Sequence, residues 1–223
     1  MTLLPLLGGM AVMVAPPKLV LSPAVNIVVD GNSITNDFQA TGLDDLIRAR
    51  LDTLGLRNGA TITTGGGLGI NAQTWRDMRT SNADLLAAWQ PGKTNVLIAG
   101  ETTNSILTFG ATVAQTIADA TAYLAAAAAR SWIILLWGSI PGGRADEASM
   151  PGQAQRNRDM IAVDQHMASH YREMGAHGYI SPRAGSPMFD HDGSDPARFA
   201  AYQAAWNEAP PWSTGQGGWI HPK

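Results

Sequence analysis

The chain contains no cysteine, which excludes disulfide staples, thiolate nucleophiles and cysteine-ligated metals and makes the fold indifferent to redox compartment. Charge is scarce: only 15% of the 223 residues are Asp, Glu, Lys or Arg, no basic run exceeds two residues, and the net charge is −3. Without a basic field to attract a phosphate backbone, nucleic acid is not expected as a partner. Long apolar runs are missing too. The N-terminal "MTLLPLLGGMAVMVAPPKLVL" is interrupted by Pro5, Gly8 and Gly9, is too broken to span a bilayer, and lacks the basic start of a secretory signal. Residues 1–22 are therefore expected to form an extended arm packing on this chain or a neighbour, with a signal segment as the alternative, followed by one domain over residues 23–223.

What is present is a 45% hydrophobic chain in which short apolar runs alternate with longer helical patterns. Strands are expected at "AVNIVV" (24–29), "ATITT" (60–64), "TNVLIA" (94–99), "SWIILLW" (131–137) and "HGYIS" (177–181). Helices are expected over 42–55, where Leu43, Leu46, Ile47, Leu51 and Leu54 form one stripe, and over 71–90, 111–130 and 153–175. The near-continuous apolar strands and their alternation with helices predict a three-layer α/β/α domain with a five-stranded parallel sheet. Such sheets bind ligands at the carboxyl ends of their strands. Ser33, Asn71–Thr74, Glu101–Asn104 and Gly138-Ser139 each follow a candidate strand, so they are expected along one rim.

Several motifs have a plain structural reading. His166 and His170 have the i, i+4 spacing of a zinc pair, but "HMASH" lacks the glutamate of a zinc protease motif, so a solvated helix face is expected, with no metal. "TGGGLG" (64–69) lacks the Gly-Lys-Ser/Thr ending of a phosphate loop and reads as a tight strand-to-helix turn. The tryptophans read mostly as core, with Trp212 and Trp219 in the Pro/Gly-rich "APPWSTGQGGWIHP" able to border a sugar site. Ser33 alone could be a helix cap.

Taken together, four blocks resemble the SGNH (GDSL-type) hydrolases. "DGNSIT" around Ser33 is similar to their Gly-Asp-Ser block, "GINAQTW" (69–75) to the second, "ETTNSI" (101–106) to the third and "WIHP" (219–222) to the last. The resemblance implies a flavodoxin-like SGNH hydrolase fold and a serine esterase without cofactors. Ser33 would be the nucleophile and His221 the base, with an oxyanion hole made of the Ser33 N–H, the Ala72 N–H and the Asn104 amide. Losing one such donor typically lowers turnover by about 10²–10³-fold. The implied substrate is a small-molecule or glycan ester, with carbohydrate O-acetyl groups as the class many relatives use.

Three positions depart from the pattern. Asn32 replaces the usual aspartate, a mild change since Asn makes the same local turn bonds. Ala72 stands where glycine is usual; it keeps its backbone donor if its φ is negative, whereas a positive φ would strain the alanine and disturb that donor's aim. Gly218 occupies the place of the acid that orients the histidine, which leaves a Ser-His dyad or a replacement from Asp190, Asp192 or Asp195, and leaves His191 as a competing base. An alternative function is a weak or inactive SGNH-like structural or glycan-binding component of a larger assembly. The spacing of the first and third blocks resembles phage-borne versions of the family, so a secreted or virion-associated location and assembly through the N-terminal arm are expected.

Overall fold

The computed structural model describes residues 24–32, 35, 49–50, 52–53, 61–139 and 152–181. Its frame is a parallel sheet of β1 (Ala24–Gly31), β2 (Thr61–Gly67), β3 (Thr94–Gly100), β4 (Ile133–Trp137) and β5 (Gly178–Ile180), in the order β2-β1-β3-β4-β5. This 2-1-3-4-5 order is that of flavodoxin-like doubly wound sheets, in which the chain reverses its direction of travel between β1 and β3.

Alternating residues of the strands go to opposite faces. Val28, Leu97, Ala99, Ile134 and Leu136 join one large core. Val25, Ile27 and Val96 are buried on the other face, packed with Ile98, Ile133 and Leu135. Burial on both faces explains why these strands read as continuous apolar runs.

The helices on the larger core are α1 (Trp75–Thr80), α2 (Asn82–Ala88), α3 (Val113–Ala128) and α4 (Gln153–His170). In α3, Thr116, Ala120, Tyr123, Leu124 and Ala127 form the buried stripe. A capping box between Thr112 and Gln115 starts this helix, and Ser131, at φ 62, follows its end. Residues 49, 50, 52 and 53 are also helical, with Thr53 Oγ1 donating to the Ala49 carbonyl at 2.9 Å.

The structure corrects three element readings. The helix expected over 71–90 is two helices, broken at Ser81. There Thr80 Oγ1 donates to the Arg76 and Asp77 carbonyls, the local competition with helix bonding to which Ser and Thr are prone. The glycine-rich turn expected at 64–69 is instead largely strand, since β2 continues to Gly67, paired with Val29 after a register shift. The helix expected to reach 175 stops at His170. The rings of His166 and His170 stack at 4.4 Å, and His170 Nδ1 donates to the His166 carbonyl at 3.0 Å. Both rings are half-buried rather than solvated.

Candidate active site

The reversal point between β1 and β3 leaves a crevice at the strands' carboxyl ends. A cavity of about 20 Å³, room for one small group, opens there among Asn32, Thr35, Gly100–Thr103 and Trp137–Ser139. Three segments meet beside it: the end of β1, the turn before α1, and a single π-helical turn at Asn104–Thr108 that follows β3. π-Turns are rare and recur at functional sites. In this one the Phe109 N–H reaches the Asn104 carbonyl at 3.0 Å, and Arg156 Nη1 of α4 donates to the Leu107 carbonyl at 2.8 Å.

The buried carboxylate of Glu101 joins these segments. Its Oε1 accepts from the Asn104 N–H at 2.6 Å, the Ser105 N–H at 3.3 Å and Asn32 Nδ2 at 3.4 Å. Its Oε2 accepts from Ser105 Oγ at 2.5 Å and from the Trp75 N–H at 3.1 Å. The backbone donors belong to the first residues of two helical turns, groups with no partner inside their own turn. Burial pushes Glu101 up to about 7, while Ser105, the Asn104 N–H and Asn32 pull the other way by favouring the charged form.

Asn104 itself is 4% exposed. Its Nδ2 donates to the Gln73 carbonyl at 3.1 Å, and its Oδ1 accepts from Thr108 Oγ1 at 3.3 Å. The side-chain amide is thereby fixed next to the turn that carries Ala72.

Ala72 has φ 64. The Gln73 N–H closes a turn onto the Ile70 carbonyl at 3.1 Å, with Ala72 at its third position, where type II geometry requires a positive φ. The negative φ that would leave Ala72 unstrained is thus not found; the turn asks for glycine and holds alanine. Left-handed φ costs an alanine about 1 kcal/mol. Ala72→Gly is expected to raise the unfolding free energy by up to about 1 kcal/mol, part of the relief being offset by the looser unfolded chain. Urea titration checks this, and a lower midpoint in the variant would contradict it.

A second buried acid lies beneath. Asp30, near the end of β1, accepts from Tyr123 Oη at 2.6 Å and from Gln73 Nε2 at 3.2 Å. Burial pushes its carboxyl from an ordinary value of 3.8 up to about 6, against the pull of Tyr123, the Gly31 N–H and Gln73. The same burial, with the Asp30 charge alongside, pushes the Tyr123 hydroxyl well above its ordinary range. A raised folded pKa means the folded state holds this proton more tightly than the unfolded chain. The resulting stability is full below about pH 4 and is lost as pH rises through about 6. Asp30→Asn removes that slope, and Gln73 Oε1, which has no hydrogen-bond partner among the described residues, can turn to accept from the new amide. The unfolding free energy of Asp30→Asn minus wild type should therefore rise by about 2–3 kcal/mol between about pH 4 and pH 6. Urea titrations across that range test it; a difference independent of pH would refute it.

Of the residues singled out in the sequence, the structure brings together Ala72 and Asn104, beside Asn32. Ser33, His221, His191, Asp190, Asp192, Asp195, Gly218, Trp212 and Trp219 lie outside the described residues, as does the arm at 1–22. Sequence reasoning placed Glu101 and Gln73 on the rim and Asp30 in the first block without a role for any of them, and it missed Tyr123. The signal for a role of Glu101 as an anchor was an acid three and four residues ahead of two backbone N–H groups, a spacing that lets a side chain cap a turn.

Among the described residues no helix is long and apolar enough to cross a membrane. No family model matches the sequence, and no curated protein matches it. Solved structures do match: the fold is that of the SGNH hydrolases. A GDSL-like lipase from Bacteroides thetaiotaomicron VPI-5482 is similar at a TM-score of 0.56 and 13% identity, over 89% of this chain and 80% of its own. The acetyl xylan esterase AlAXEase is similar at a TM-score of 0.52 and 16% identity, over 71% of this chain and 77% of its own. A candidate acylhydrolase from Bacteroides fragilis NCTC 9343 is similar at a TM-score of 0.51 and 16% identity, over 70% of this chain. The match spans 66% of that protein, just under two thirds of its length.

Proposed function

We propose that this chain is a serine esterase of the SGNH type that removes small acyl groups, with O-acetyl esters of carbohydrates as the preferred class. The observation that carries the reading is the bond from Asn104 Nδ2 to the Gln73 carbonyl. It sets an amide donor beside the Ala72 turn at the edge where β1 ends, and Ser33 follows β1 by two residues. A primary amide has two hydrogens; with one on Gln73, the other serves the oxyanion.

In this mechanism Ser33 Oγ attacks the acyl carbon as His221 takes its proton. The oxyanion is met by the Ser33 N–H and Asn104 Nδ2, with the Ala72 N–H as a third donor where its left-handed φ of 64 leaves it aimed at the same point. Collapse expels the alcohol, protonated by His221, and leaves an acyl-serine. Water, deprotonated by His221, then releases the acid and restores Ser33. His221 works in a dyad or with Asp190, Asp192 or Asp195 behind its other nitrogen.

The preference for a small acyl group on a sugar is supported by the likeness to AlAXEase, an acetyl xylan esterase. Turnover of 4-nitrophenyl acetate and of acetylated xylan, with covalent labelling of Ser33 by a fluorophosphonate, tests the reading. A protein that neither labels nor turns over any ester would instead be a non-catalytic glycan-binding component on this scaffold.

A further inference from the structure

Glu101 does not touch the reacting atoms of the mechanism above, yet its carboxylate is where the site's three segments meet. Asn32 immediately precedes the proposed nucleophile, Trp75 lies three residues beyond Ala72, and Asn104 carries the side-chain donor. All three donate to the two oxygens of Glu101. We propose that Glu101 is a positioning residue, whose buried carboxylate sets the Asn104 amide and the flanking loops at the place where the oxyanion forms. The inference rests on the esterase reading and deepens it.

The chemistry of the acceptor is what makes the position exacting. Above about pH 7, where Glu101 is ionised, its carboxylate offers acceptor sites on both oxygens and no donor, so it can take N–H and O–H groups from several directions at once. Glutamine of the same shape presents an NH₂ on one side, which faces either the Trp75 N–H and Ser105 Oγ or the Asn104 and Ser105 N–H groups. Ser105 can adapt by rotating its hydroxyl. The backbone N–H groups cannot, so one of the two turns must move. Asn104 is tied at its own N–H to Glu101 at 2.6 Å and at its amide to Gln73 at 3.1 Å. Displacing the turn therefore displaces the donor. A misplacement of about 1 Å near a reacting centre lowers turnover by about 10²-fold. The oxyanion exists only in the transition state, so KM should hardly respond.

The test is a double-mutant cycle with Asn104→Ala at about pH 8, where Glu101 is ionised, with kcat measured on 4-nitrophenyl acetate per active site titrated by fluorophosphonate. Normalising to titrated sites separates a misplaced donor from a smaller folded fraction. Glu101→Gln is expected to lower kcat by about 10–10²-fold with KM within about threefold, and to add less than about threefold in the Asn104→Ala background. A Glu101→Gln enzyme with wild-type kcat, or the same loss in both backgrounds, would overturn the inference. If Glu101→Gln does not fold, Ser105→Ala replaces it. Ser105 Oγ lies between Glu101 Oε2 and the Trp75 N–H, at 2.5 and 3.3 Å, and its removal should give a several-fold kcat loss that vanishes when Asn104 is alanine. An equal loss in both backgrounds would again overturn the proposal. Wild-type kcat in Asn104→Ala would also overturn it while leaving the esterase reading standing, whereas a wild type that hydrolyses no ester removes both.

Discussion

Ser33→Ala is expected to lower the hydrolysis of 4-nitrophenyl acetate by at least about 10³-fold and to abolish fluorophosphonate labelling, with the circular-dichroism spectrum unchanged. The size of the loss follows from the role. A serine hydroxyl is a poor nucleophile at neutral pH until a base removes its proton, and in the proposed mechanism the acyl intermediate forms on Ser33. Binding and the oxyanion donors remain in the variant, so residual activity above the uncatalysed rate is expected rather than none. The competing explanation of Ser33 is local: a serine after a strand often caps the helix that follows. A cap would behave in the opposite way, since its loss costs about 1 kcal/mol of stability and leaves chemistry alone. Measuring the urea midpoint and the turnover on one preparation separates the two. Full turnover with a lowered midpoint would make Ser33 a cap and remove the esterase reading. His221→Ala should reproduce the kcat loss.

The parts of the fold legible in the sequence are those with a side-chain period. β1, β3 and β4 announce themselves because both their faces are buried, so almost every position is apolar. The stripe of α3 is legible for the same reason, with Thr116, Ala120, Tyr123, Leu124 and Ala127 on one side. β2 is hidden at its end because Gly65, Gly66 and Gly67 carry no side chains, and in this chain they extend a strand. The break at Ser81 is masked by apolar residues that keep nearly the right spacing through α1 and α2.

The site divides in the same way. Asn104 and Ala72 were reachable through a resemblance, because their blocks sit after strands whose order could be read. The network beneath them joins residues far apart in the chain. Tyr123 donates to Asp30 across 93 positions, and Trp75 reaches Glu101 across 26. Nothing local marks such partners, since a buried acid and an exposed one are written with the same letter. The left-handed Ala72 is a different case. An alanine gives no sign of positive φ, and only the glycine usual at that position in the resembling family hinted at it.

Gly31→Ala is expected to destabilise the fold by about 3 kcal/mol, a fall in Tm of about 10 °C, and to remove activity at temperatures where the variant is still folded. Gly31 is not a glycine for its dihedral angles, because its φ is not positive. It is one for space. A Cβ there would fall well inside van der Waals contact of the Gly100 carbonyl oxygen and of Thr35 Oγ1. Gly31 pairs with Gly100 in the β1–β3 register, and Gly100 in turn leaves no room for a Cβ, which would lie 2.8 Å from the Trp137 carbonyl oxygen. Nor can β1 retreat sideways. The Gly31 carbonyl accepts from the Ile70 N–H at 3.1 Å on its other side, so movement away from β3 compresses the segment that leads to Ala72. The clash with Thr35 can be relieved by a rotamer change; the clash with the backbone of β3 cannot. Hence Thr35→Ala should not rescue Gly31→Ala, whereas Gly110→Ala, where φ is 65 and no described residue lies within 4 Å, should cost only about 1 kcal/mol of backbone strain. Rescue by Thr35→Ala would mean that the strand ends have slack, and a site assembled from those ends would then lack the fixed geometry its chemistry needs.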